Sequence, residues 1–108
     1  MKKYSMYTAV ILAGLAFSAP VSAEDYVITL KDNQFSPQDL AIPAGQKVKV
    51  TIKNQTSSSA EFESHELNRE KVISAGGEAT VFIGPLSAGN YAYMNEFHPD
   101  AKGTITAK

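Results

Sequence analysis

Cysteine is absent from this chain of 108 residues, which at once excludes a disulfide framework, a thiolate zinc finger and an iron–sulfur site. A strong charge of one sign is missing as well. Ten basic residues stand against eleven acidic ones, which offers no electrostatic footprint for nucleic acid. Histidine is scarce: His65 and His98 are the only two, and with serines scattered they make a poor basis for Ser-His-Asp chemistry. There is no glycine-rich phosphate loop, no glycosidase-like carboxylate pair and no internal repeat. Helical periodicity is also lacking, and only Glu66 to Val72 offers spacing for a single turn of helix.

The one long apolar run, Thr8 to Phe17, covers about ten residues, short of the roughly 20 that span a bilayer. Lys2 and Lys3 precede it, Pro20 follows, and Val21-Ser22-Ala23 supplies small residues. This is the pattern of a secretory signal peptide over residues 1–23, cleaved after Ala23, and it places the protein in the periplasm. No cysteine stands at the boundary to accept a lipid. The expected mature domain, residues 24–108, has 85 residues, enough for one small domain. Without Lys2 and Lys3 its eight basic residues face eleven acidic ones, a net charge of −3, which favours cations as partners.

What the chain has in abundance is alternation. Val48, Val50 and Ile52 interleave with Lys47, Lys49, Thr51 and Lys53, the signature of a strand with one buried and one wet face. Asp25 to Leu30, Glu78 to Ile83, Asn90 to Met94 and Lys102 to Ala107 read as further strands. Turn signals separate them at Asp32-Asn33-Gln34, Pro43-Ala44-Gly45, Asn54 to Ser59, Ala75-Gly76-Gly77, Gly84-Pro85 and Ala88-Gly89-Asn90. Short strands punctuated in this way predict an all-β sandwich.

Two segments concentrate the chemistry. Ala60 to Glu66 carries Glu61, Glu63 and His65, and Tyr93 to Pro99 carries Met94, Glu96 and His98. In an extended second segment, Met94, Glu96 and His98 stand at i, i+2 and i+4 and point one way. Thioether, carboxylate and imidazole together form a mixed donor set, suited to copper through the softer atoms and to harder ions through the carboxylate. In the first segment, a core position for Phe62 sends Glu61 and Glu63 out on the opposite face, and His65 shares their parity if the strand continues. The competing reading is a solvated, charged edge that discourages strand-to-strand aggregation, and it suits Glu66, Arg69 and Glu70 well.

Gly89 to His98, followed by Lys102-Gly103-Thr104-Ile105, resembles the C-terminal ligand loop of cupredoxins, where a tyrosine-containing strand runs into Cys-x-x-His and then a final Gly-Thr-Ile-like strand. Phe35-Ser36-Pro37, Ile42-Pro43-Ala44-Gly45 and Val48 to Asn54 resemble the family's opening strands. The resemblance implies a cupredoxin-like Greek-key β-sandwich of seven or eight strands. It also exposes departures. Asn95 stands where the copper-binding cysteine would be, no methionine follows His98, and the first histidine is missing near Ala60. Without the thiolate a blue-copper centre cannot form.

Glu61-Phe62-Glu63-Ser64, Leu67, and Lys71-Val72-Ile73 before Ala75-Gly76 resemble more narrowly the cupredoxin-like proteins of bacterial iron uptake, both the EfeO-type domain and the free-standing periplasmic component found with iron permeases. That resemblance implies that the Glu-aromatic-Glu segment binds iron, copper or both, and that the protein supports ferrous-iron uptake beside a periplasmic iron-binding protein and an iron permease. Glu63, Met94, Glu96 and His98 are the expected ligands, with Glu61 and His65 secondary. Two alternatives stand beside this reading: a copper-dependent ferroxidase, and a metal-free module docking on the transporter. A homodimer that gathers carboxylates from two chains also stays open.

Overall fold

The computed structural model describes residues 25–108. The signal segment expected over residues 1–23 lies outside the described residues, as does Glu24. Nine strands follow in order: β1 (Asp25–Lys31), β2 (Gln34–Ser36), β3 (Asp39–Ile42), β4 (Val48–Asn54), β5 (Ala60–Ser64), β6 (Arg69–Ile73), β7 (Glu78–Ile83), β8 (Gly89–Asn95) and β9 (Lys102–Ala107). They form a four-stranded sheet, β2-β1-β4-β7, and a five-stranded sheet, β3-β9-β8-β5-β6. Both sheets are mixed, because β1 runs parallel to β4 and β3 parallel to β9. The expected all-β sandwich is therefore present.

Alternation explains the layers. In β4, Val48, Val50, Ile52 and Asn54 are buried while Lys49, Thr51 and Lys53 stay partly exposed. Ile28 and Leu30 of β1 and Val81 and Ile83 of β7 complete one wall of the core, and Phe62, Tyr93 and Ile105 belong to the other. Phe35 meets Tyr93 edge-on with ring centroids 5.0 Å apart, and Phe62 lies 4.9 Å from the same ring. The Phe35–Tyr93 pair ties the two sheets together, while Phe62 packs on Tyr93 from within the five-stranded sheet.

The strand count exceeds the expected seven or eight because the segment after β1 divides. Pro37 has no N–H to give a ladder, and the chain crosses there from β2, paired with β1, to β3, paired with β9. The β1–β2 hairpin closes through Asp32 and Asn33, both left-handed with φ of 51° and 58°, as a two-residue turn requires.

The helical turn expected at Glu66 to Val72 is absent. His65 to Asn68 instead forms a tight turn in which the Asn68 N–H donates to the His65 carbonyl at 3.1 Å. Asn68 is left-handed (φ 56°), a conformation that stops a helix rather than propagating it. The chain then returns as β6, antiparallel to β5.

Candidate metal centre

β5 builds the site. Phe62 is 1% exposed on its inner side, so Glu61 and Glu63 project from the outer face. The strand lies between β6 and β8. Register places Glu63 opposite Glu70 on β6 and opposite Met94 on β8. Just past the end of β8, the Glu96 N–H donates to the Glu61 carbonyl at 2.9 Å. Carboxylate oxygens of Glu61, Glu63, Glu70 and Glu96 consequently all lie within 4.8 Å of one another.

Three of the expected ligands, Glu61, Glu63 and Glu96, are thus gathered, and Glu70 joins them. The sequence reading left Glu70 on a solvated edge. A four-residue turn between β5 and β6 puts position 70 opposite position 63 on the same face, so the missing signal was hairpin register.

Met94 is half-buried across from Glu63. His65 lies just beyond β5, with its Nε2 3.6 Å from Glu63 Oε2. Neither belongs to the four-carboxylate group, but both line an open groove of about 420 Å³ against Glu63, together with Gln38, Glu66 and Lys102.

His98 is not brought to the carboxylates. The extended run expected from Met94 to His98 stops at Asn95, and His98 falls in an exposed turn where its N–H donates to the Asn95 carbonyl at 3.0 Å. Glu66 is also committed elsewhere. Its Oε1 accepts the Ala92 N–H at 2.7 Å, while Ser64 Oγ donates to the Ala92 carbonyl at 2.7 Å. These two side chains take over the pairing to β8 where β5 ends.

Glu63 is only 5% exposed and faces other acids. A hydrogen bond with the Glu96 carboxyl is the largest cause that raises its pKa. Burial and repulsion from Glu96 and Glu70 add to it, and His65 opposes them. Glu61 is raised as well, first by desolvation and then by Glu96 and Glu70. The His65–Glu63 contact is the only ion pair found among the described residues. The Glu63–Glu96 hydrogen bond, burial and the mutual repulsion of these carboxylates raise the affinity of Glu63 and Glu61 for protons, and a cation bound there would compete with those protons.

The sign of the stability effect follows. A carboxyl with a raised folded pKa favours the folded state while protonated, and that contribution is lost as pH rises through the folded value. In chelator at neutral pH, Glu63→Gln is expected to raise the thermal midpoint. The gain should disappear toward pH ~4, near the ordinary glutamate value. Melting curves from pH 4 to 7.5 check this, and a variant less stable than wild type at neutral pH contradicts it.

The likenesses to known proteins agree with this architecture. A family model described as a cupredoxin-like domain matches residues 5–107. An uncharacterised protein of Rickettsia prowazekii (strain Madrid E) is 31% identical over 105 residues, covering 93% of this chain and 84% of that protein. Among solved structures, a purple cupredoxin from Nitrosopumilus maritimus aligns with a TM-score of 0.59 at 27% identity, over 78% of this chain and 100% of its own. Reduced auracyanin from Roseiflexus castenholzii reaches 0.65 at 15% identity, over 82% and 99%. The metal-binding domain of the Cu(I)-exporting P-type ATPase CopA of Streptococcus pneumoniae D39 reaches 0.67 at 18% identity, over 83% and 92%. With no cysteine in the chain, the thiolate of a blue-copper centre is excluded. On its sequence match and its two-sheet architecture alike, this chain belongs to the cupredoxin-like domain family.

Proposed function

We propose that this protein is a periplasmic metal carrier that binds iron as cargo, with copper as a second metal, and serves ferrous-iron uptake beside a periplasmic iron-binding protein and an iron permease. The observation that carries the reading is the convergence of four glutamates within 4.8 Å, one of them buried. Oxygen donors of this kind suit hard cations. The Glu61-Phe62-Glu63 segment, which resembles the iron-uptake members of the family, supplies two of the four. The signal-like start supports export.

Copper fits less fully. Asn95 replaces the thiolate and its Oδ1 already accepts two N–H groups. His98 stands apart, which leaves Met94 and His65 beside Glu63 as the softer donors. When bound, a cation at the carboxylates supplies the countercharge that the group lacks. Glu61, Glu63, Glu70 and Glu96 would hold it.

Anaerobic calorimetry with Fe(II), Mn(II), Cu(I) and Cu(II) tests the proposal. Saturable Fe(II) and Mn(II) binding is expected. Glu63→Gln should weaken it by at least about 100-fold, the upper range for losing even an outer partner of a ligand. His98→Ala should leave it unchanged. At 100 times the dissociation constant, bound cation should add about 2.7 kcal/mol of stability. Wild-type protein that shows no saturable binding, or Glu63→Gln that binds as wild type does, overturns the reading.

A further inference from the structure

We infer that Asn95 is a positioning residue that assembles the carboxylate group before any cation arrives, an inference that rests on the metal-binding reading above. Asn95 is 2% exposed and sits where β8 gives way to the turn. Its Oδ1 accepts the Glu61 N–H at 2.9 Å and the Phe97 N–H at 3.2 Å. Glu61 and Phe97 belong to different segments, and Phe97 follows Glu96 directly, so one oxygen ties the backbones of two of the four glutamates together. The Glu96 N–H to Glu61 carbonyl bond at 2.9 Å completes a closed pair of links between β5 and the turn.

The main chain of Asn95 holds the turn from within. Its N–H donates to the Ala101 carbonyl at 2.9 Å, and its carbonyl accepts the His98 N–H at 3.0 Å. Two converging N–H donors also fix the amide orientation, since a flipped NH2 would face both of them. Four like-charged groups repel one another, and an unrestrained loop would relieve that by swinging Glu96 away. Asn95 keeps the loop in place at the point where a bound metal would otherwise have to gather it. Preorganised ligands of this kind spare binding the cost of ordering, and outer partners of ligands matter for the same reason.

The test compares Asn95→Leu, similar in size and without an acceptor, with Asn95→Asp, which keeps an acceptor oxygen in place. Mn(II) affinity is measured by calorimetry, and amide hydrogen exchange is measured on the cation-free protein. Asn95→Leu is expected to weaken Mn(II) binding by about 10–100-fold and to speed exchange at Glu61 and Phe97 while Ile52 in the core is unchanged. Asn95→Asp should retain both properties.

A merely structural role would accelerate Ile52 along with the other two amides, and that result overturns the inference. Wild-type binding that Asn95→Leu leaves unchanged overturns the inference alone. Wild-type protein that binds no Mn(II) overturns the metal reading and this inference with it. Should Asn95→Leu fail to fold, Asn95→Gln, which displaces the amide by one methylene, carries the same expectation.

Discussion

Gly103→Ala is expected to cost about 3 kcal/mol or more, a large share of the stability of a domain this size. Gly103 is buried in β9 directly opposite Tyr93 of β8. A Cβ there would run into Tyr93 Cζ and Oη and stand 2.8 Å from the Gln38 carbonyl. Tyr93 cannot simply move aside, because Phe35 and Phe62 hold its ring at 5.0 and 4.9 Å. Either the ring leaves the core or β9 shifts against β3 and β8, and overpacking of either kind is destabilising.

Urea unfolding measures the loss, and a change below about 1 kcal/mol would show that the contact yields easily. Tyr93→Phe is the informative control. Its hydroxyl is buried with no partner, and burial drives its pKa further above the ordinary tyrosine range. Removing a polar group that makes no bond should be neutral or stabilising by up to about 1 kcal/mol. Combining Gly103→Ala with Tyr93→Leu, which vacates the space, should recover part of the loss, because the two positions share one contact.

The second large effect is expected at Asn54, the last residue of β4. It is 1% exposed, and its Nδ2 donates to the carbonyls of Ser58, Ile73 and Ser74 at 2.9, 3.0 and 3.2 Å. Its Oδ1 accepts from the Thr56 N–H and hydroxyl at 3.1 and 2.7 Å. One amide therefore pins the β4–β5 loop and the end of β6 to the opposite sheet. Asn54→Ala leaves the buried Ile73 carbonyl without its partner, at about 1–3 kcal/mol, and removes four part-buried bonds as well, so a loss of roughly 3 kcal/mol is expected. Asn54→Asp sharpens the test, since it keeps the acceptor and replaces the donor with charge facing three carbonyls. It should be at least as damaging as alanine. An aspartate variant with near-wild-type unfolding midpoint would show that the donor side contributes little.

Much of this molecule is legible in its residues. The clean alternation of Val48, Val50 and Ile52 gives the central strand and its buried face. Phe62 between two glutamates gives the outward direction of Glu61 and Glu63 from alternation alone. Local pattern fails where pairing decides. Glu70 joins the site through its register opposite Glu63, and no periodicity within Arg69 to Ile73 marks it as different from a solvated acid. His98 drops out because the Asn95 N–H and carbonyl close the following turn instead of extending the strand. The segments on either side of Pro37 serve different sheets, β2 beside β1 and β3 beside β9. Each of these depends on where a backbone hydrogen bond goes, which a single strand's sequence does not state.

The place of β9 between β3 and β8 has a consequence for how the sheet assembles. Residues 39–42 pair with residues 104–107, so β3 finds its partner only in a strand far along the chain. Without residues 102–107 in place, β3 lacks its partner, β8 has an open flank, and the five-stranded sheet cannot close. Such distant pairings carry a loop-closure cost that slows folding. Until β9 is in place, the unpaired edges of β3 and β8 are open to pairing with other chains, as bare strand edges are.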